Sequence, residues 1–397
     1  MFCPLKEVVY LQNNIVSPDL LTIREYEAKS NLPNPFLFEN GKVVCSTADW
    51  KKRREEVYET AVELQFGILP PPPECLKVEQ LNCGKKHRSY KIHAGTQNSM
   101  VSFIIKVIIP SVNDRPVIVD GDMCAGYFME PGFTEAATKQ DIGWVLFDRT
   151  ELAHDLKGEG CRKGALYDIY PDYDFGALAA WAWGYSRCID ALEILQLPQI
   201  DLSCIAFTGH SRGGKAVLLA GATDCRAAIV NPNEACLGGG GCYRIRMTAD
   251  YPGLRPWRSE TLKDIWEDSA FWLGPKMGQY IDREETLPFD VHYLKALVAP
   301  RILFVSEAAA DVWANPIGSW MTTIAAGEVY KFLNAENNLY WYFRTGTHYH
   351  KPEDIEKLVS IILHVHDSEP LCDGFFTLPF VPPKKIYSWT IPQMEKK

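Results

Sequence analysis

The chain has 397 residues, of which 47% are hydrophobic, 23% charged and 12% aromatic. That composition excludes a disordered, collagen-like or coiled-coil protein and supplies enough apolar side chains for a large core. The formal charge of −9 argues against a broad nucleic-acid surface, which needs a basic face.

No run approaches the roughly 18 uninterrupted apolar residues of a membrane helix. The opening residues, Met1-Phe2-Cys3-Pro4-Leu5-Lys6-Glu7, lack a basic region followed by an apolar core, so a cytoplasmic protein that engages no membrane is expected. Twelve cysteines are scattered from Cys3 to Cys372 without CxxC pairs. Several, such as Cys188 and Cys204, sit among apolar or small residues, so reduced thiols are expected rather than disulfides or a zinc site.

Residues 1–75 read as an N-terminal approach segment packed on the domain, and residues 76–397 as the domain itself. Ser46-Thr47-Ala48-Asp49 ahead of Trp50 predicts a capped helix start. The helix then presents Val57, Ala61, Val62 and Leu64 among charges, and Pro70–Pro73 is expected to stop it. From residue 76 strands and helices alternate. The runs 99–109, 115–120, 143–147, 205–208, 227–231, 301–305 and 339–343 are β-rich or short and apolar, as in buried strands of a mostly parallel sheet. Helical segments 176–195, 215–222 and 352–366 lie among them. The expected architecture is α/β, a three-layer sandwich with a mostly parallel central sheet.

Directly after the strand ending at Thr208 comes Gly209-His210-Ser211-Arg212-Gly213-Gly214-Lys215, followed by a helical run. This is Gly-x-Ser-x-Gly between a strand and a helix, the turn that holds a serine nucleophile at the carboxyl edge of an α/β-hydrolase sheet. Ser211 is the expected nucleophile, and the Arg212 amide faces a developing oxyanion. In this fold the acid and then the histidine follow the serine in the chain. His348, after Gly346-Thr347 beyond the last strand, is the expected base, with His350 its competitor. His364 and His366 lie within the terminal helix and read as structural, so a metal centre built from the four is not expected. Two acids compete to orient the base: Glu234, after the strand 227–231, and Asp311, after the strand 301–305. Backbone amides of the Gly121-Asp122-Met123 loop are candidates to complete the oxyanion hole. No metal and no organic cofactor is needed.

Several blocks resemble the glucuronoyl esterases, carbohydrate esterase family 15. They are residues 209–215, Ala222-Thr-Asp-x-Arg226, residues 233–240, residues 287–301, Asp311-Val-Trp-Ala-Asn-Pro316, Gly346-Thr-His348 with Pro352-Glu-Asp354, and Asp148-Arg-Thr-Glu-Leu-Ala153. Leu32-Pro-Asn-Pro-Phe-Leu-Phe and Ala48-Asp-Trp-Lys-Lys-Arg-Arg are similar to the family's N-terminal approach. The resemblance implies an α/β-hydrolase fold and a serine carboxylesterase. It would act through an acyl-enzyme on esters of 4-O-methyl-glucuronic acid; with no export signal visible, a small uronate ester is the expected substrate. It implies a catalytic glutamate at Glu234, or an acid at Asp311 instead or in addition, and a side-chain oxyanion donor at Arg212. It further implies that Lys215, Trp313 and Glu260 hold the sugar. Two departures stand out: His210 occupies the place where many secreted members have a bonded cysteine, and Ala235-Cys236 follows the glutamate where Ser-Gly is common. An acetyl or aryl esterase on the same fold and a non-catalytic binding protein are the competing readings.

Overall fold

The computed structural model describes residues 23–156, 162–249 and 257–393, so the opening residues and the expectation about export lie outside them. The first strand, β1 (Ile23–Ala28), precedes helix α1 (Thr47–Tyr58). The Ser46 hydroxyl caps α1, accepting from the Asp49 amide at 3.0 Å. The prolines do not stop this helix. It passes through one π-helical turn at 59–63 and ends at Phe66, where Gly67 adopts a φ of +81°. A Cβ on Gly67 would stand 2.5 Å from the Asp174 carbonyl oxygen, so both the left-handed conformation and the close approach require glycine.

Then follow β2 (Cys75–Cys83), β3 (His87–Gly95), β4 (Met100–Ile108), β5 (Arg115–Asp120), β6 (Gly143–Phe147), α2 (Ala177–Leu195), β7 (Ile200–His210), α3 (Arg212–Thr223) and β8 (Ile229–Asn233). Next come β9 (Ile245–Ala249), β10 (Trp257–Arg258), α4 (Leu262–Ser269), α5 (Val291–Val298), β11 (Ile302–Ala308), α6 (Pro316–Phe332), β12 (Leu339–Arg344) and α7 (Pro352–Asp367). Nine strands form one sheet in the order β12-β11-β8-β7-β5-β6-β4-β3-β2. The six from β12 to β6 run parallel, and β4, β3 and β2 extend the sheet antiparallel. A second, three-stranded sheet joins β1 to β9 and β10.

The sheet is buried on both faces, which is why its inner strands read as continuous apolar runs. Along β5, Val117 and Val119 pack into one cluster with α2, α3 and α5, while Ile118 packs into another with α7. Alternate side chains of one strand thus serve opposite faces, giving helix, sheet and helix layers. Phe36, Val44, Trp50, Val57, Val62 and Phe66 from before residue 75 belong to the first cluster. Among the described residues no helix is long and apolar enough to cross a membrane, and the ten described cysteines are free thiols.

Candidate active site

The parallel strands end along one edge, and four of them deliver the residues singled out from the sequence. Ser211 sits between β7 and α3 with φ 58° and ψ −119°, a strained conformation for a residue with a Cβ. Small neighbours permit the turn. A Cβ on Gly209 would meet Gly213 backbone at 2.9 Å, and one on Gly213 would meet the Asp122 carboxylate at 2.1 Å. Asp122 is the buttress of this turn. It accepts from the His210 amide at 2.6 Å and is ion-paired with the buried Arg149.

Ser211 Oγ lies 2.8 Å from His348 Nε2, and His348 Nδ1 lies 2.6 Å from Asp311 Oδ2. The structure therefore gathers serine, histidine and acid in the expected chain order. Glu234 stands just behind, its Oε2 3.4 Å from His348 Nδ1. Both acids are buried and both meet the imidazole, but Asp311 is the nearer. Glu234 takes further bonds from the Tyr349 amide at 3.1 Å and from the Arg344 guanidinium. Arg344 in turn holds Asp354 through Nε at 3.1 Å.

These charges set the protonation of the site. Burial lowers the His348 pKa, but the Asp311 and Glu234 carboxylates outweigh it and raise the imidazole to about 10. Burial raises Asp311, yet His348 and the neighbouring Glu234 carboxyl hold it below the ordinary carboxylate value. Glu234 is raised well above that value, chiefly by burial, against the pull of Arg344.

The structure does not bring His350 to the serine. Its ring is fully buried, stacked on His210 and edge-to-face with Phe133, with no hydrogen-bond partner for either nitrogen among the described residues. Burial depresses its pKa to about 3. His364 and His366 lie on α7 and bond to the Glu369 carbonyl and to Asp367 and Asp201. Within the 121–123 loop, the Gly121 amide already donates to the Tyr185 hydroxyl at 2.9 Å and the Asp122 amide to Asp120 at 2.8 Å, so the expectation narrows to the Met123 amide.

Beside the serine, the Arg212 guanidinium stacks on Trp272 at 4.9 Å and donates to Asp155 at 2.8 Å. Trp272 Nε1 donates to the same carboxylate at 3.0 Å, and Lys215 Nζ stands 5.8 Å from the Trp272 ring. Lys215 and Glu260 form a buried ion pair of 2.9 Å. Lys215 also donates to the Ala235 carbonyl at 3.1 Å, which leaves one of its three N–H groups. Trp313 is half-buried, and its carbonyl accepts from the Glu260 amide at 3.1 Å. Sequence reasoning missed Arg344, Asp155 and Trp272. None lies in a spacing that signals chemistry, although the buried arginine closing β12, two residues before Gly346, lies close to the expected base.

Residues 92–334, more than half of the chain, match the fungal glucuronyl esterase family. The chain belongs to this family. Among curated relatives, a 4-O-methyl-glucuronoyl methylesterase of Podospora anserina is 29% identical over 81% of this chain and 64% of its own length. The chain thus spans just under two thirds of that relative. A carbohydrate esterase family 15 glucuronoyl esterase from Caldicellulosiruptor kristjansonii superposes with a TM-score of 0.78 at 26% identity, over 91% of this chain and 97% of that one. A mutant of the Sporotrichum thermophile glucuronoyl esterase, in complex with methyl 4-O-methyl-β-D-glucopyranuronate, superposes at 0.72 with 25% identity, over 88% and 92%. The fold is that of the α/β-hydrolases.

Proposed function

We propose that the chain is a serine carboxylesterase that cleaves esters of glucuronic acid, of the 4-O-methyl-glucuronoyl type, through an acyl-enzyme. The observation that carries the chemistry is the 2.8 Å and 2.6 Å relay from Ser211 through His348 to Asp311. Neutral His348 takes the serine proton as Oγ attacks the ester carbonyl, then passes it to the leaving alcohol. In deacylation it takes a proton from water and returns it to Ser211. Asp311 holds the Nδ1 proton and stabilises the imidazolium, and Glu234 stands behind it as a second acid. The oxyanion falls to the Arg212 amide at the start of α3 and to its guanidinium, which Trp272 and Asp155 hold beside the serine.

Substrate class rests on the family and on the polar groups next to the serine. A uronate ester is uncharged at its scissile group, so the sugar hydroxyls must provide recognition. Lys215 retains one donor, Glu260 accepts while ionised, and the half-buried Trp313 offers a ring face to a pyranose. The structure needs no cofactor for this chemistry. The free thiols Cys188, Cys204, Cys236 and Cys242 pack as small apolar side chains in the interior.

A fluorophosphonate probe tests the nucleophile. Wild-type protein should label stoichiometrically at Ser211, and Ser211→Ala should lose labelling together with at least about three orders of magnitude in turnover. Equal labelling of the folded variant would move the nucleophile elsewhere, and no labelling of the wild type would favour a binding protein.

A further inference from the structure

The strand end that delivers the nucleophile also delivers His210, whose ring takes no part in the steps above. His210 is buried, and its Nδ1 lies 2.6 Å from Asn233 Oδ1. The Asn233 amide nitrogen donates to Ser306 Oγ at 2.9 Å, which fixes Oδ1 as the group facing the imidazole. An amide oxygen only accepts, so Nδ1 carries the proton and Nε2 presents a bare lone pair. That nitrogen is buried with no hydrogen-bond partner among the described residues. The His348 ring stands 4.5 Å from the His210 ring, centre to centre. One ligand atom from each of His210, Glu234 and His348 lies within 4.8 Å of the other two.

We propose that His210, Glu234 and His348 form a binding site for a divalent transition metal of the Zn2+ class, and that an ion bound there silences Ser211. Only the second half of this statement rests on the esterase reading. Two imidazoles and a carboxylate are a donor set that zinc accepts, whereas Mg2+ and Ca2+ prefer all-oxygen sites. His210 is already oriented by Asn233 at Nδ1, on the far side from its unpartnered Nε2, as in protein zinc sites. Arg344 pairs with Glu234 and Asp354, while Asp311 and Glu234 flank His348, so three acids and one guanidinium stand around the pocket. Metal bonds of about 2.1 Å place tetrahedral ligand atoms roughly 3.4 Å apart, so the three side chains must draw together by about an ångström. Both nitrogens of His348 are engaged, one by Asp311 and one by Ser211. A metal on either removes the contact that orients the base or the one that takes the serine proton. The site exists because histidine, not a bonded cysteine, precedes the nucleophile.

The test is a calorimetric Zn2+ titration of the wild type, His210→Gln and Glu234→Gln, after alkylation of the exposed Cys83, Cys124, Cys225 and Cys372. The wild type should bind one equivalent that each variant holds at least about tenfold more weakly. The same Zn2+ should slow fluorophosphonate labelling of wild-type Ser211, with EDTA restoring it and Mg2+ having no effect. No such equivalent in the wild type, or equal affinity in folded His210→Gln protein, overturns the proposal. Should circular dichroism show His210→Gln unfolded, Glu234→Gln decides in the same way. Calorimetry needs no substrate, so failure of the esterase reading leaves the binding result legible. An active esterase that ignores Zn2+ overturns this inference alone.

Discussion

His348 is flanked by two acids at unequal distances, 2.6 Å to Asp311 and 3.4 Å to Glu234, and the difference has a titratable consequence. A general base works only while neutral, so the group's raised pKa moves the acid limb of the kcat/KM profile above the ordinary imidazole value of about 6.5. The sign follows directly: removing a carboxylate charge lowers the pKa of His348 and moves that limb toward lower pH. We expect Asp311→Asn to shift the limb down by about one unit or more and to cut turnover severely, because the imidazole also loses its orienting acceptor. Glu234→Gln should shift it less and retain more turnover. A pH–rate series on the three proteins checks both statements, and a larger shift in Glu234→Gln would exchange the two roles. The sequence offered both acids without ranking them, since rank depends on distances that spacing along the chain does not encode.

At the scale of elements, the turn between β7 and α3 shows what was legible and what was not. Gly-His-Ser-Arg-Gly-Gly between an apolar strand and a helical run identifies a nucleophile turn because local backbone geometry demands it. The buttress, Asp122 with Arg149, comes from the ends of other strands and has no local signature. Gly213→Ala would drive a methyl into the Asp122 carboxylate, and we expect a loss of about 1–3 kcal/mol in stability together with reduced turnover. Denaturant unfolding and initial rates test this, and a variant of wild-type stability and rate would show that Asp122 does not brace the turn. The inner strands were legible as apolar runs because both faces are covered. The antiparallel hairpin of β2 and β3 was not, since β2 is mostly exposed and its alternation of apolar residues breaks between Val78 and Leu81, beside a bulge. In β3 the inward series Tyr90, Ile92 and Ala94 alternates with polar residues, a signal that was present but passed over. The helices α4, α5 and α6 were missed as well. α6 is buried along most of its length and rich in Gly, Thr and β-branched residues, so no amphipathic stripe announces it.

For the whole molecule, the question is whether the stretch before residue 75 is an appendage or part of the folding unit. The Phe36 ring lies tilted against Trp50 at 6.0 Å and Phe332 of α6 at 5.3 Å, and edge-to-face with Trp389 at 5.9 Å. One fully buried ring thus ties both ends of the chain to the helical layer. Arg53 donates to the Pro35 carbonyl at 3.2 Å and to the Tyr293 hydroxyl of α5 at 3.3 Å. We therefore read the approach segment as structurally continuous with the catalytic domain. Phe36→Ala should destabilise the whole protein by about 3–5 kcal/mol, as for other buried aromatic truncations. Unfolding should remain a single transition by fluorescence and circular dichroism. A separate early transition, with the remainder as stable as wild type, would make the segment an independent attachment.

The central claim is that Ser211 attacks the carbonyl of a glucuronate ester that the neighbouring side chains select by its hydroxyls. The most direct measurement is the ratio of kcat/KM for methyl or benzyl glucuronate to that for a simple acetyl ester of similar reactivity, in the wild type, Lys215→Ala and Trp313→Ala. The account predicts a ratio well above one in the wild type, because a pocket built for hydroxyls rejects analogues that leave its polar groups unpaired. It also predicts that both variants lower the ratio, losing at least about tenfold on the glucuronate ester and little on the acetyl ester. A wild-type preference for the acetyl ester, with the ranking unchanged in Lys215→Ala, would contradict the uronate specificity.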